Sequence, residues 1–244
     1  MELELKKECL DTYELGEPQT LTQEETAETI VPDYCPDIAR IISAEGVVCL
    51  HGGTEQDGVT GTVRVTVLYT PENESGVRAL EFAMPFSAQG EGLAGCAHVV
   101  VETEIELLES RMLNPRKIFT RCKLVTHLAG CRKVCLTISS DAETDPALLV
   151  EKRCCGQTVS LLRQVAEKDL TFSETMSLSL GREGAAELLH CRANGIVTET
   201  KAIGNKLIFK GVFLVSALYR TIGGQLASAS AELPFSQIME TDST

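Results

Sequence analysis

A ten-residue stretch recurs. GTVRVTVLYT at 61–70 returns as GVFLVSALYR at 211–220, with the tyrosines 150 positions apart (219 − 69 = 150). MPFS at 84–87 returns as LPFS at 233–236, its phenylalanine displaced by 149 (235 − 86), and GVV at 46–48 returns as GIV at 195–197, also displaced by 149 (195 − 46). Three landmarks in one order at nearly constant spacing mark an internal duplication, which limits the fold more than any single motif does. We expect two tandem units, residues 1–148 and 149–244.

The repeated unit reads as mostly strand. Val63, Val65, Val67 and Tyr69 alternate with Thr62, Arg64 and Thr66, and Phe213, Val215, Ala217 and Tyr219 keep that period, as strands with one buried face do. A return strand carrying Leu80, Phe82 and Met84 follows the polar turn PENESG. In the second unit the turn is TIGGQ, whose glycines supply the positive φ of a tight hairpin. Residues 97–109, 116–128 and 131–139 are alternating and rich in β-branched residues, so three further strands are expected in the first unit. The second unit ends soon after Pro234-Phe235 and is expected to be incomplete, with an open sheet edge through which the chain self-associates. Tyr69, Phe86, Tyr219 and Phe235, recurring on apolar faces, are the expected core.

Helix is expected only in short pieces. The Ala, Leu and Glu of 183–194 favour one and 158–169 is a second candidate. A third would follow VPDYCPD at 31–37, with Pro36 in its first turn, Asp37 at the positive end of its dipole and Ile38, Ile41 and Ile42 facing inward. The fold class is therefore mainly β with short helices, as two tandem sandwich or barrel-like units.

A net charge of −13 argues against phosphate backbones and anionic lipid, so neither nucleic acid nor membrane insertion is expected. The acidic start MELELKKECLDTYELGEPQ has no apolar signal core, and no stretch approaches the length of a membrane helix, which points to a cytoplasmic protein. The ten cysteines include no Cys-x-x-Cys pair, and His51, His98, His127 and His190 are scattered. No metal site and no cofactor are expected, and the thiols are read as free, reduced, small hydrophobes.

No catalytic residue is assigned. The sequence has no Gly-x-Ser-x-Gly elbow, no phosphate loop and no His-Glu-x-x-His, and the only cysteine chemistry to consider pairs Cys35 or Cys49 with His51. GGTEQDG at 52–58 reads as a turn. Two interaction candidates remain: a loop specific to the first unit, with Asp33, Tyr34 and Asp37 available to a partner, and the basic patch Arg116, Lys117 and Arg121 in NPRKIFTR, otherwise a solvated strand face.

The order VPD-x-x-PDI, then a glycine-led strand ending in Val-Leu-Tyr, then Pro-Phe, then Asn-x-Arg-Lys-Ile resembles the SPOCS domain of endospore-forming bacteria. The matching residues are Pro32, Asp33, Pro36, Asp37, Ile38, Gly61, Leu68, Tyr69, Pro85, Phe86, Asn114, Arg116, Lys117 and Ile118. That domain is typically tandem, as in SipL-type spore-coat morphogenesis proteins. The resemblance implies a non-catalytic structural and interaction module of spore-coat assembly, working on the mother-cell side of the developing spore with coat morphogenetic proteins as partners. SipL-like proteins also carry a LysM domain, and no LysM-like segment is read in these 244 residues. The alternative is a ligand- or carbohydrate-binding β-module, disfavoured by the lack of tryptophan. A cysteine-dependent enzyme comes after it.

Overall fold

The computed structural model describes residues 4–51, 58–143, 151, 153, 156, 158–163, 165, 173 and 184–241. In chain order the strands are β1 (Glu4–Leu15), β2 (Gln19–Ile30), β3 (Ile38–His51), β4 (Gly58–Pro71), β5 (Arg78–Gln89), β6 (His98–Asn114), β7 (Lys117–Glu143), β8 (Ala185–Ile203), β9 (Lys206–Thr221) and β10 (Leu226–Glu240). They form three antiparallel sheets and no helix occurs among the described residues. None of the sheets closes into a barrel.

The first sheet is organised by β7. Residues 117–128 pair with β2 and 131–143 with β1, while β6 pairs with 117–131 on the opposite side. Leu15 and His98 both partner Cys131, one from each side, so β1 and β2 form one long edge broken only at 16–18. The expected two strands over 116–139 are thus a single strand. At Gly130, between the two expected strands, the bare backbone admits Cys96 Sγ, which a Cβ there would approach to 2.5 Å. Its carbonyl also accepts the N–H of Gly16 at 2.8 Å.

The second sheet, in order β3-β4-β5, packs face to face on the first. Val63, Val65, Val67, Tyr69, Leu80, Met84 and Phe86 are buried against Ile118, Cys122 and Leu124 of β7. Alternation along β4 puts every second residue from Val59 to Pro71 in this core. The third sheet, in order β10-β9-β8, meets the exposed face of the second. Leu189, Ala217, Tyr219 and Ala229 are buried there, and His190 reaches Glu45 at 3.1 Å.

The two three-stranded sheets share local geometry. Gly61 lies opposite Phe86 and Gly211 opposite Phe235, each ring occupying the space a Cβ on the glycine would need. Pro85 and Pro234 sit on β5 and β10, both edge strands, where a missing N–H costs no ladder bond. β3 and β8 share two bulges in the same places, and β8 carries a third between Val197 and Glu199: Ile38, Arg40 and Ile41 face Pro71, Thr70 and Tyr69, as Ala185, Glu187 and Leu188 face Thr221, Arg220 and Tyr219. The third sequence landmark is out of register by two residues, since Gly46 faces Val65 whereas it is Ala193, not Gly195, that faces Val215.

The bulges explain why helices are expected where strands form. Each adds an unpaired residue, so Ile38, Ile41 and Ala44 come to one face with a spacing of three, which imitates a helical stripe. The segment after Pro36 is therefore strand, with Ile38 buried and Ile42 45% exposed. Residues 185–194 are likewise strand, despite their helix-favouring composition. Of 158–169, residues 158–163 and 165 have no regular structure, and the others lie outside the described residues, as do 52–57. Tyr69, Phe86 and Tyr219 are buried as expected, but Phe235 is only half-buried; it packs on Phe213 with ring centroids 4.8 Å apart.

Candidate functional site

The connection between β2 and β3, VPDYCPD, is the most heavily braced loop described. The N–H of Cys35 donates to the carbonyl of Pro32 at 2.9 Å, closing a turn whose central residues are Asp33 and Tyr34. Pro32 and Pro36 fix φ on either side. Val31 at the entry is fully buried and its N–H donates to the Arg116 carbonyl, and at the exit Ile38 donates to Pro115 and Glu72 donates to the Asp37 carbonyl, each at 2.9 Å. The Tyr69 hydroxyl, rising from the core, donates to the Pro36 carbonyl at 3.3 Å. Burial, with Cys35 beside it, pushes the Tyr69 phenol up to about 12.

Arg116 ties this loop to the β6–β7 turn. Its Nη1 donates to the Cys35 carbonyl at 2.8 Å and to Asp37 Oδ1 at 3.0 Å, and its Nη2 to the Val31 carbonyl at 2.9 Å and Asp33 Oδ1 at 3.0 Å. Asn114 Oδ1 accepts the Arg116 N–H and fixes the turn from which the side chain springs. Only a planar guanidinium presents donors in a fork wide enough to reach four acceptors at once. The two candidate regions of the sequence therefore converge, Asp33 and Asp37 from the loop and Arg116 from the basic stretch. Nothing in the spacing within either motif indicates that they meet.

Lys117 and Arg121 lie apart from the loop, on the outer face of β7. Lys117 is ion-paired to Glu28, and Arg121 to Glu24 at 2.5 Å. The Arg121 bond holds the Glu24 carboxyl below the usual carboxylate range and pushes the guanidinium up. Each of the three cations thus has an acidic partner, and the stretch presents little net positive charge. What the braced loop offers to solvent is Tyr34, 87% exposed at the tip, together with the fully exposed side chain of Asp33 next to it.

The cysteines divide by place. Cys9 and Cys135 are bonded to each other between β1 and β7, with Cα atoms 5.6 Å apart, which corrects the expectation that every thiol is free. They sit diagonally across the ribbon, 126 residues apart in sequence, where no close spacing could reveal the pair. Cys35, Cys49, Cys96, Cys122, Cys131 and Cys191 are free. Burial pushes the Cys122 thiol up to about 11 and raises that of Cys131. His51 bonds Thr62 Oγ1 at 2.6 Å. Among the described residues, no three of His, Cys, Asp and Glu gather as metal ligands, and no helix is long and apolar enough to cross a membrane.

Comparison with curated proteins and with solved structures finds no match. Residues 185–243, which contain the whole of the β8–β9–β10 sheet, match the family model of the SipL, SPOCS domain.

Proposed function

We propose that this chain is a non-catalytic assembly module of the spore envelope, built from two SPOCS-type units in tandem and acting by binding other proteins on the mother-cell side of the developing spore. The observation that carries this reading is the likeness between the matched sheet and β3–β4–β5: the same strand order, the same pair of bulges, a phenylalanine seated over a glycine, and a proline on the edge strand. That likeness supports carrying the family resemblance from the matched segment to a first unit over residues 1–148, with the second over 149–244.

In the first unit the partner-facing element is the braced loop. Tyrosine is among the residue types that dominate binding energetics, and a loop held by Arg116 and two prolines loses little further freedom on docking. Asp33 and Asp37 hold the loop in shape, while Tyr34 makes the contact. Capture experiments from sporulating cells, with this chain and with its Tyr34→Ser variant as baits, test the reading. Coat morphogenetic proteins retained by the former and reduced with the latter are the expected result. Equal, background-level recovery from both contradicts it.

A further inference from the structure

β6 accompanies β7 only as far as Cys131, and beyond it residues 132–143 continue as a two-stranded ribbon with β1. Among the described residues no strand pairs with the other edge of this extension. The segment Val134–Ser140, VCLTISS, contains no charge, proline or glycine, and is rich in β-branched residues. Leu136 and Ile138 are 41% and 37% exposed. Edge strands are ordinarily blunted against further pairing, as β5 and β10 are by Pro85 and Pro234, and this one has no such device at its centre. The Cys9–Cys135 bond holds the ribbon in place, so the edge is presented ready-made.

We infer that this edge is the site at which a second copy of the chain adds, antiparallel, about a two-fold axis at Thr137. Charge selects the partner. In that register Leu136 of one copy faces Ile138 of the other, Cys135 faces Ser139, and the basic start of the segment at Lys133 faces the acidic end at Asp141, twice over by symmetry. A strand with one charge at each end, of opposite sign, is complementary to itself only when antiparallel. Within its own chain Lys133 pairs with Asp11 at 3.1 Å, and Asp141 stands opposite Lys6. Those exposed positions leave both charged groups within reach of a neighbouring strand. This edge on β7 is distinct from the open edge expected at the end of the chain, and the inference is independent of the sporulation role.

The charges also supply the test. Lys133→Glu and Asp141→Lys each place like charges opposite one another at both ends of the paired strands, so each is expected to raise the dimer dissociation constant about tenfold in equilibrium sedimentation. The double variant restores opposite charges between copies while placing, within each copy, a like charge beside Asp11 and another opposite Lys6. Recovery of the native dissociation constant in the double variant therefore supports strand addition, and a double variant weaker than either single one refutes it. Amide exchange gives an independent readout, with protection of 134–140 rising as protein concentration rises. A monomer at every concentration overturns the proposal, and so does protection of 134–140 that is independent of concentration, since a segment of the same chain would then cover the edge.

Discussion

Replacing Phe86 with alanine tests the packing rule that links the two three-stranded sheets. The ring is 5% exposed, in the core between the first and second sheets, and lies over Gly61 on the neighbouring strand. A glycine has no side chain with which to fill the vacated space, so the loss belongs in the usual range for a buried phenylalanine, about 3–5 kcal/mol. Gly61→Ala approaches the same contact from the other side. Its Cβ would meet Phe86 Cε1 and Cζ at 2.5 Å and the Cys49 carbonyl at 2.9 Å, a clash costing about 1–3 kcal/mol. Combined with Phe86→Leu, which removes the offending ring atoms, the alanine should cost less than the two single losses added, by about 1 kcal/mol. The third sheet gives a graded control: Phe235 is only half-buried, so Phe235→Ala should cost about half as much as Phe86→Ala. Urea unfolding followed by far-ultraviolet circular dichroism reads all five variants, Phe86→Leu alone included, the chain having no tryptophan to report by fluorescence. Strict additivity of Gly61→Ala with Phe86→Leu would falsify the interlocking of glycine and ring, and equal losses at Phe86 and Phe235 would show that the third sheet is covered as fully as the second.

Arg116→Ala removes four hydrogen bonds from a partly buried guanidinium and should cost about 2–3 kcal/mol, whereas Arg116→Lys should recover only part, because an ammonium cannot span four acceptors; thermal or urea unfolding decides this. Stability should fall with alkali, since the Cys122 thiol stands near 11 and the Tyr69 phenol near 12 in the folded chain, both above their ordinary values. The unfolded chain gives up these protons first, so the stabilisation is complete below about pH 9 and is lost through 9–11 for the thiol and 10–12 for the phenol; Cys122→Ala should flatten the first part of a stability-against-pH curve. Thiol titration of denatured, unreduced protein should find Cys9 and Cys135 unreactive, and Cys9→Ser should release one additional thiol at Cys135; unchanged counts would mean that the pair is not bonded.

The central strands β4 and β9 were legible because they have an apolar face. Val63, Val65, Val67 and Tyr69 carry a period of two that survives any reading of the flanking residues. β1 and β2 were not legible, for a physical reason. The inward positions of β2 are Leu21, Gln23, Glu25, Ala27 and Thr29, of which only Leu21 and Ala27 are apolar, and its place beside β7 is dictated by a partner about a hundred residues away. The bulges of β3 and β8 hid strands behind a spacing of three, as the Ile38, Ile41 and Ala44 face shows. In the candidate site Tyr34 and the two aspartates stood out by composition, but the clasp of the aspartates to Arg116 spans 79 and 83 positions of sequence and depends on how two hairpins meet. The exposed flank of β7 was invisible for a further reason: a strand edge is defined by where its neighbour β6 stops.

The proposed role in assembly of the spore envelope is tested most directly by thin-section electron microscopy of spores from cells lacking this chain. The account predicts a coat that is mislocalised, detached or incomplete, repaired by the native chain and repaired poorly by the Tyr34→Ser variant. Coats indistinguishable from those of the parent, with the deletion verified and no second copy of the gene present, would contradict it.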